Sequence, residues 1–342
     1  MTLETVGVFV LLAVVSYGAV YMMRQWLQRR HILDAPNPRS SHSQPTPRGG
    51  GLAIVLLTLG TILAFSAASG LWRQSLVYAG GGCLVAWLGW RDDLRSLSPG
   101  FRFVMQGLAA LLTILGLGYF RSVSIPMAGD LNFGLAGVPI TFLWIVGLTN
   151  AFNFMDGIDG IAAGVALVGG LGWMSLSSAE GGLQNSTAFW ISLAIAASSL
   201  GFLGHNWPPA RIFMGDVSST FLGYSFAVLP LMSATTGGTP LLLGTTILWA
   251  FILDAAITFL LRLFKGERVF SAHRAHVYQR LVLGGHPPAS VNALYIVLTL
   301  LGTLLALGWL RGDKPVPALI IIGLPLVWGL LSWYAAKEQH AG

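Results

Sequence analysis

Residues 141–173 read TFLWIVGLTNAFNFMDGIDGIAAGVALVGGLGW. Two apolar runs, 138–152 and 161–177, flank a short polar interruption in which Asn150, Asn153, Asp156 and Asp159 recur at every third position. Each run approaches the roughly 20 apolar residues that carry a helix across a bilayer. If helix continues through the interruption, the four polar residues form one slowly drifting stripe, because positions i and i+3 are neighbours on a helix. Amides and carboxylates at the end of an apolar helix are costly unless they face a polar cavity or a partner helix. A cavity wall and helix–helix glue are therefore both open readings. Gly157 and Gly160 would let a ligand approach the backbone and could end the helix.

The rest of the chain has the same character. Its 342 residues are 54% hydrophobic and 9% charged, with a mean hydropathy of +0.71. A soluble domain carries about a quarter charged residues. The 43 glycines sit in apolar surroundings and suit close helix packing in lipid. Eleven spans are expected, at 5–23, 50–69, 75–90, 103–120, 138–152, 161–177, 188–204, 217–233, 241–261, 291–310 and 318–335. They make an all-α polytopic membrane protein with a single domain over 1–342. The first run lacks a basic leader and is long enough to span, so a cleavable signal peptide is not expected. Cys83 is the only cysteine, which excludes an intrachain disulfide.

Basic residues set the expected orientation. With the N-terminus outside, only Arg73, Arg121, Arg311 and Lys314 of the 19 Lys and Arg face out, and the other fifteen face the cytoplasm. The same topology explains the net charge of +6, and no basic stripe interleaved with aromatics suggests nucleic acid. All seven histidines and Asp92, Asp93, Asp156, Asp159 and Asp216 then fall on the cytoplasmic side, where a catalytic cleft is expected. Residues 121–138 read as a small outside hairpin.

Four further segments carry candidate chemistry. Asp92 and Asp93 sit where the third span meets water; adjacent carboxylates call for a cation or strong hydrogen bonds, although a solvated loop end is the plain alternative. A DDxxD diphosphate motif would need an acid at 96, where Ser96 stands. The segment 205–219, HNWPPARIFMGDVSS, puts Asp216 at a helix start, which an N-cap alone would also explain. As a fifth carboxylate at the same depth it instead suggests hard oxygen ligands for Mg2+. Residues 271–280 interleave His273 and His276 with Arg274 and Arg280, either an anion-binding surface or a plain topology signal. Residues 38–51, PRSSHSQPTPRGGG, could present backbone N–H groups to a phosphate. Asp254 lies inside the ninth span, and its role is open.

With these segments in hand, the chain resembles the polyprenyl-phosphate N-acetylhexosamine-1-phosphate transferase superfamily. The likeness runs from Pro38 to about Arg280 and rests most firmly on NAFNFMDGIDG and FMGDVSS. The resemblance implies that Asp92 and Asp93 act in catalysis near a lipid phosphate. It implies a catalytic place for Asp156 in the nucleotide-sugar pocket, with Asn150, Asn153, Gly157, Ile158 and Asp159 around it. It implies Mg2+ on Asp216, with Asp93 as a second ligand and Mn2+ as a substitute. Asn206 and Phe213 would meet uridine, and His273, Arg274 and His276 the sugar diphosphate. Arg39 and His42 would contact substrate from the early loop. The implied partners are a UDP-N-acetylhexosamine, undecaprenyl phosphate, the bilayer and a second copy in a homodimer. The spaced HxxH, in place of the consecutive histidines of the peptidoglycan branch, points to a plain N-acetylated sugar such as GlcNAc, FucNAc or QuiNAc and to O-antigen or other surface-glycan initiation at the bacterial inner membrane. Direct attack and a covalent aspartyl-phosphate are both open. A prenyltransferase, or a transporter or flippase, is the competing reading.

Overall fold

The computed structural model describes residues 2–34, 45–179, 186–233, 237–267 and 274–341. Helices α1 (Leu3–Arg29), α2 (Leu52–Ser69), α3 (Trp72–Leu94), α4 (Pro99–Leu117), α5 (Gly137–Met155), α6 (Ile161–Ala179) and α7 (Thr187–Asn206) fill its first part. After them come α8 (Asp216–Val228), α9 (Thr239–Ile247), α10 (Trp249–Phe264), α11 (Val277–Leu283), α12 (Pro288–Arg311), α13 (Val316–Ala318) and α14 (Leu324–Ala341). Two two-stranded antiparallel ribbons complete it: β1 (Leu33–Asp34) with β2 (Thr46–Pro47), and β3 (Ser122–Ile125) with β4 (Gly129–Asn132). The second ribbon is the hairpin expected within 121–138.

Among the described residues, eight helices are long and apolar enough to cross a membrane, or nine if the bent pair α9–α10 is one span. The chain is a multi-pass membrane protein. Helices α3 and α8 stand at the two remaining predicted positions and fall short of that measure. Helix α3 ends on Arg91-Asp92-Asp93, and α8 has 13 residues before a 3-10 turn at Leu229–Met232. The expected single span 241–261 is two helices meeting at 83°. The run was continuous in hydropathy, and neither Pro nor Gly stands at Leu248 to mark the break.

Burial orders the bundle. The apolar window of α7 is 83% buried and that of α6 72%, against 11% for α1 and 17% for the last span. Helices apolar on all sides belong to the centre, or to lipid when they are left outside. Helix α8 is buried along its length between α3 and α5, so its first residue, Asp216, is delivered to the ends of both. Local capping fixes where the helices begin. Ser98 Oγ accepts from Phe101 N–H at the start of α4, with Pro99 in the first turn.

Candidate active site

The polar stripe is helical only in its first half. Helix α5 stops at Met155, and Asp156 is its C-cap. Asn150 Nδ2 donates to Gln106 Oε1 on α4 (2.6 Å), and Asn153 Nδ2 donates to Ser219 Oγ on α8 (2.9 Å). The expected four-residue face therefore splits: two amides join helices, and two carboxylates sit on the turn that follows. Asp159 Oδ2 accepts from Ala210 N–H (2.8 Å), and Asn206 Oδ1 accepts from Gly160 N–H while its Nδ2 donates to Ile212 O, both at 2.9 Å. Asn206 is 4% exposed. Its amide is spent on stitching these two loops, so it holds the site's walls instead of presenting free polar atoms to uridine. Ile158 is likewise a core residue, and Gly157 leaves room for Tyr278, whose hydroxyl a Cβ there would strike.

Asp216 is not the N-cap. That position is Gly215, with φ +79°, and Asp216 is the first helical residue. A side chain at 215 would be strained by that φ and would collide with Asp93. Asp93 takes over the helix terminus: Oδ1 accepts from Asp216 N–H (2.9 Å) and Oδ2 from Val217 N–H (3.1 Å). This places a carboxylate on the positive end of the α8 dipole. Arg48 Nε reaches Asp93 Oδ1 at 2.8 Å, and its Nη2 reaches Asp216 Oδ1 at 2.6 Å. The Asp93 side chain is 1% exposed, each oxygen caps α8, and it does not line the cleft that Asp92 and Asp216 share. The metal role expected of Asp93 does not fit this arrangement; it is an anchor for α8 and Arg48.

Asp92 points elsewhere. Its Oδ1 accepts from Leu97 N–H (2.6 Å) and its Oδ2 from Arg102 Nη1 (3.0 Å), and its carboxyl also lies within hydrogen-bonding reach of Asp216. A narrow cleft of about 10 Å3, room for roughly one water, is lined by Asp92, Arg102, Gln106, Asn150, Asn153 and Asp216. Asp156, on the turn after α5, does not line this cleft but feels its charges. Loss of hydration at the helix ends raises its carboxyl well above the ordinary range, repulsion from Asp216, Asp93 and Asp159 adds to this, and Arg48 opposes it. For Arg48, burial works against the charge. Asp216, Asp93 and Asp34 more than offset that and hold the guanidinium above its usual pKa.

Two facing carboxylates, Asp92 and Asp216, with Asn153 beside Asp216, form a hard oxygen donor set. Among the described residues no three His, Cys, Asp or Glu side chains form a closed metal cage.

Sequence reading missed Arg48 as a site residue, although it stands in the quoted PRGGG. The backbone N–H groups of that motif do not face a phosphate. Those of Gly49 and Gly50 bond Phe213 O and that of Gly51 bonds Met214 O, while Phe213 N–H bonds Pro47 O (2.8 Å). The motif is thus the strap that docks Arg48 beside Asp216. Arg39, His42 and His273 lie outside the described residues. His276 is 3% exposed, with Nδ1 3.3 Å from Asp254 Oδ1, so it packs in the interior instead of lining the cleft. Arg274 lines a separate cavity between α10, α11 and α14.

Comparison with known proteins agrees with this geometry. The model of glycosyl transferase family 4 matches residues 75–234, which include α3, α5 and α8. A Bacillus subtilis (strain 168) protein named as a probable undecaprenyl-phosphate N-acetylglucosaminyl 1-phosphate transferase is 34% identical over 272 residues, covering 78% of this chain and 74% of its own length. The decaprenyl-phosphate N-acetylglucosaminephosphotransferase of Mycobacterium tuberculosis (strain ATCC 25618 / H37Rv) is 30% identical over 303 residues, covering 80% and 74%. The undecaprenyl-phosphate alpha-N-acetylglucosaminyl 1-phosphate transferase of Yersinia pestis is 28% identical over 352 residues, covering 99% and 92%. With four carboxylates from distant segments brought to one set of helix ends, and these relatives along most of its length, the chain belongs to the polyprenyl-phosphate N-acetylhexosamine-1-phosphate transferase superfamily.

Proposed function

We propose that this protein transfers an N-acetylhexosamine 1-phosphate from a UDP-sugar to undecaprenyl phosphate, releasing UMP, at the cytoplasmic face of a bacterial inner membrane. The product would initiate O-antigen or another surface glycan. The observation that carries this reading is that Asp92 and Asp216 line one cleft, each paired with an arginine, Arg102 and Arg48. Buried charge of this kind is costly to keep for structure alone. The basic residues crowded at the same end of the bundle support a cytoplasmic site. The relatives' names put N-acetylglucosamine first among the sugars to test.

In the reaction, an oxygen of the lipid phosphate forms a bond to the sugar-linked phosphorus, and the bond from that phosphorus to UMP breaks. The lipid phosphate is largely ionised near neutral pH, so little proton abstraction is needed. Positioning and charge neutralisation supply the rate. Asp92 and Asp216 are the residues that would hold Mg2+, which when bound neutralises diphosphate charge and stabilises the leaving phosphate. Asn153, bonded to Ser219, fixes the α5 wall of the cleft against α8. Arg48 holds Asp216 and Asp93 in register, and Arg102 does the same for Asp92 while adding positive charge beside the phosphates. Asp156, held towards its neutral form by burial, can donate a hydrogen bond to a phosphate oxygen without adding repulsion.

The test is UMP release by purified protein supplied with Mg2+, undecaprenyl phosphate and a panel of UDP-sugars. Turnover with at least one acetamido sugar, lost on chelation, is the expected result. Folded protein that turns over none of them would overturn the proposal.

A further inference from the structure

A second polar cavity, of about 350 Å3, lies between α10, α11 and α14 and shares no lining residue with the acidic cleft. It stands at the same end of the bundle, because α11 is tied to the end of α5 by Tyr278 Oη donating to Phe154 O (2.9 Å). Its walls carry Arg262, Lys265, Arg274 and Arg280 against one acid, Glu267. Arg262 is buried and paired with Glu267 (2.7 Å), and Arg280 Nη2 donates to Ser332 O on α14 (2.9 Å). The remaining wall is apolar, with Leu261 from α10 and Trp328 from α14. The Trp328 indole N–H is buried with no acceptor among the described residues, an omission that costs free energy unless an outside group accepts it. The α14 wall is open to lipid: Leu326 and Leu330 are each 59% exposed and Trp333 64%.

A cavity with excess positive charge, forked donors and an apolar side facing the bilayer matches the head and upper acyl chains of an anionic phospholipid. We infer that this cavity binds an anionic phospholipid, its phosphate among Arg274, Arg280 and Lys265 and its glycerol region against Trp328. The site's place beside α11, which also contacts the α5 end before Asp156, lets an occupant steady that wall of the cleft.

The experiment measures lipid retention on the full chain with no nucleotide sugar present, so its outcome is independent of the proposed transfer. Protein in nanodiscs of phosphatidylcholine mixed with phosphatidylglycerol is released into detergent, and bound lipid is read by native mass spectrometry. Phosphatidylglycerol is expected to be retained over phosphatidylcholine. Lys265→Gln with Arg280→Gln should weaken retention roughly tenfold or more, as two phosphate contacts are removed. Because Arg280 also braces α14, Lys265→Gln alone and Trp328→Phe serve as milder variants. Each should reduce retention several-fold at an unchanged melting temperature. Inorganic phosphate should displace the lipid poorly. Equal retention of both lipids, variants that retain phosphatidylglycerol like the parent, or displacement by phosphate alone would each overturn the assignment.

Discussion

The lone buried carboxylate of Asp254 and the carboxylates of the acidic cleft are built in opposite ways. Asp254, on α10, is fully buried and surrounded by donors. Its Oδ1 accepts from Val277 N–H (2.9 Å) and its Oδ2 from Tyr295 Oη–H (2.6 Å) and, at 3.4 Å, Tyr278 N–H, with His276 and Thr258 at 3.3 Å. The acidic cleft sets Asp92 and Asp216 across a narrow space, each with one arginine at its side, Arg102 and Arg48. A carboxylate saturated by its own protein is a structural knot. Carboxylates left to repel one another are waiting for a cation or a ligand. The α10–α11 knot answers the question the sequence left open at Asp254: it is the post to which α11 is tied.

The contrast can be broken at several points. The largest effect is expected at Asp216. Asp216→Asn should lower UMP release roughly a thousandfold, about 4 kcal/mol of transition-state stabilisation, with the protein still folded and extractable. Retained activity would remove Asp216 from the centre of the site. Asp254→Ala should do the reverse. Leaving several buried donors without an acceptor costs about 3 kcal/mol, read as a lower melting temperature in detergent, whereas the Mg2+ concentration for half-maximal activity stays where it was. A shifted Mg2+ requirement would show that the two groups are not separate.

Arg48→Ala sharpens the comparison from between. Asp93 would be left buried without its cation, and after allowance for Arg48 being 35% exposed the loss is about 2 kcal/mol of stability. Activity should fall with it, because Asp216 loses the same partner. A variant of normal stability and low activity would make Arg48 a direct ligand contact instead. The smallest effect belongs to the seam between the regions. A Cβ at Gly157 would strike Tyr278 Oη, so Gly157→Ala should cost about 1 kcal/mol. Tyr278→Phe should recover part of that in the double variant, a coupling that a thermal-melt mutant cycle would detect.

How much could be read beforehand varied with the length scale of the signal. The polar segments and their carboxylates were plain in the sequence, since charges amid apolar runs are rare and costly. So was the hairpin at 122–132. Helices form at both α3 and α8, the two predicted positions that fall short in length or hydropathy, and α8 is buried along its length by its neighbours. The 83° break at Leu248 left no local mark, because it depends on where α10 docks. Roles within the site were least legible. Asn206, Ile158 and His276 stand in the quoted motifs, yet their side chains are consumed by packing or by backbone partners.

The sequence alone determined that this chain lives in a membrane and that its carboxylates gather where apolar runs end, because both follow from the transfer free energy of single residues. Only the tertiary structure decided which carboxylates face one another, which are satisfied, and that Arg48 stands between Asp93 and Asp216. Those outcomes depend on distances between segments over a hundred residues apart, and an electrostatic or hydrogen-bond energy exists only once such segments meet.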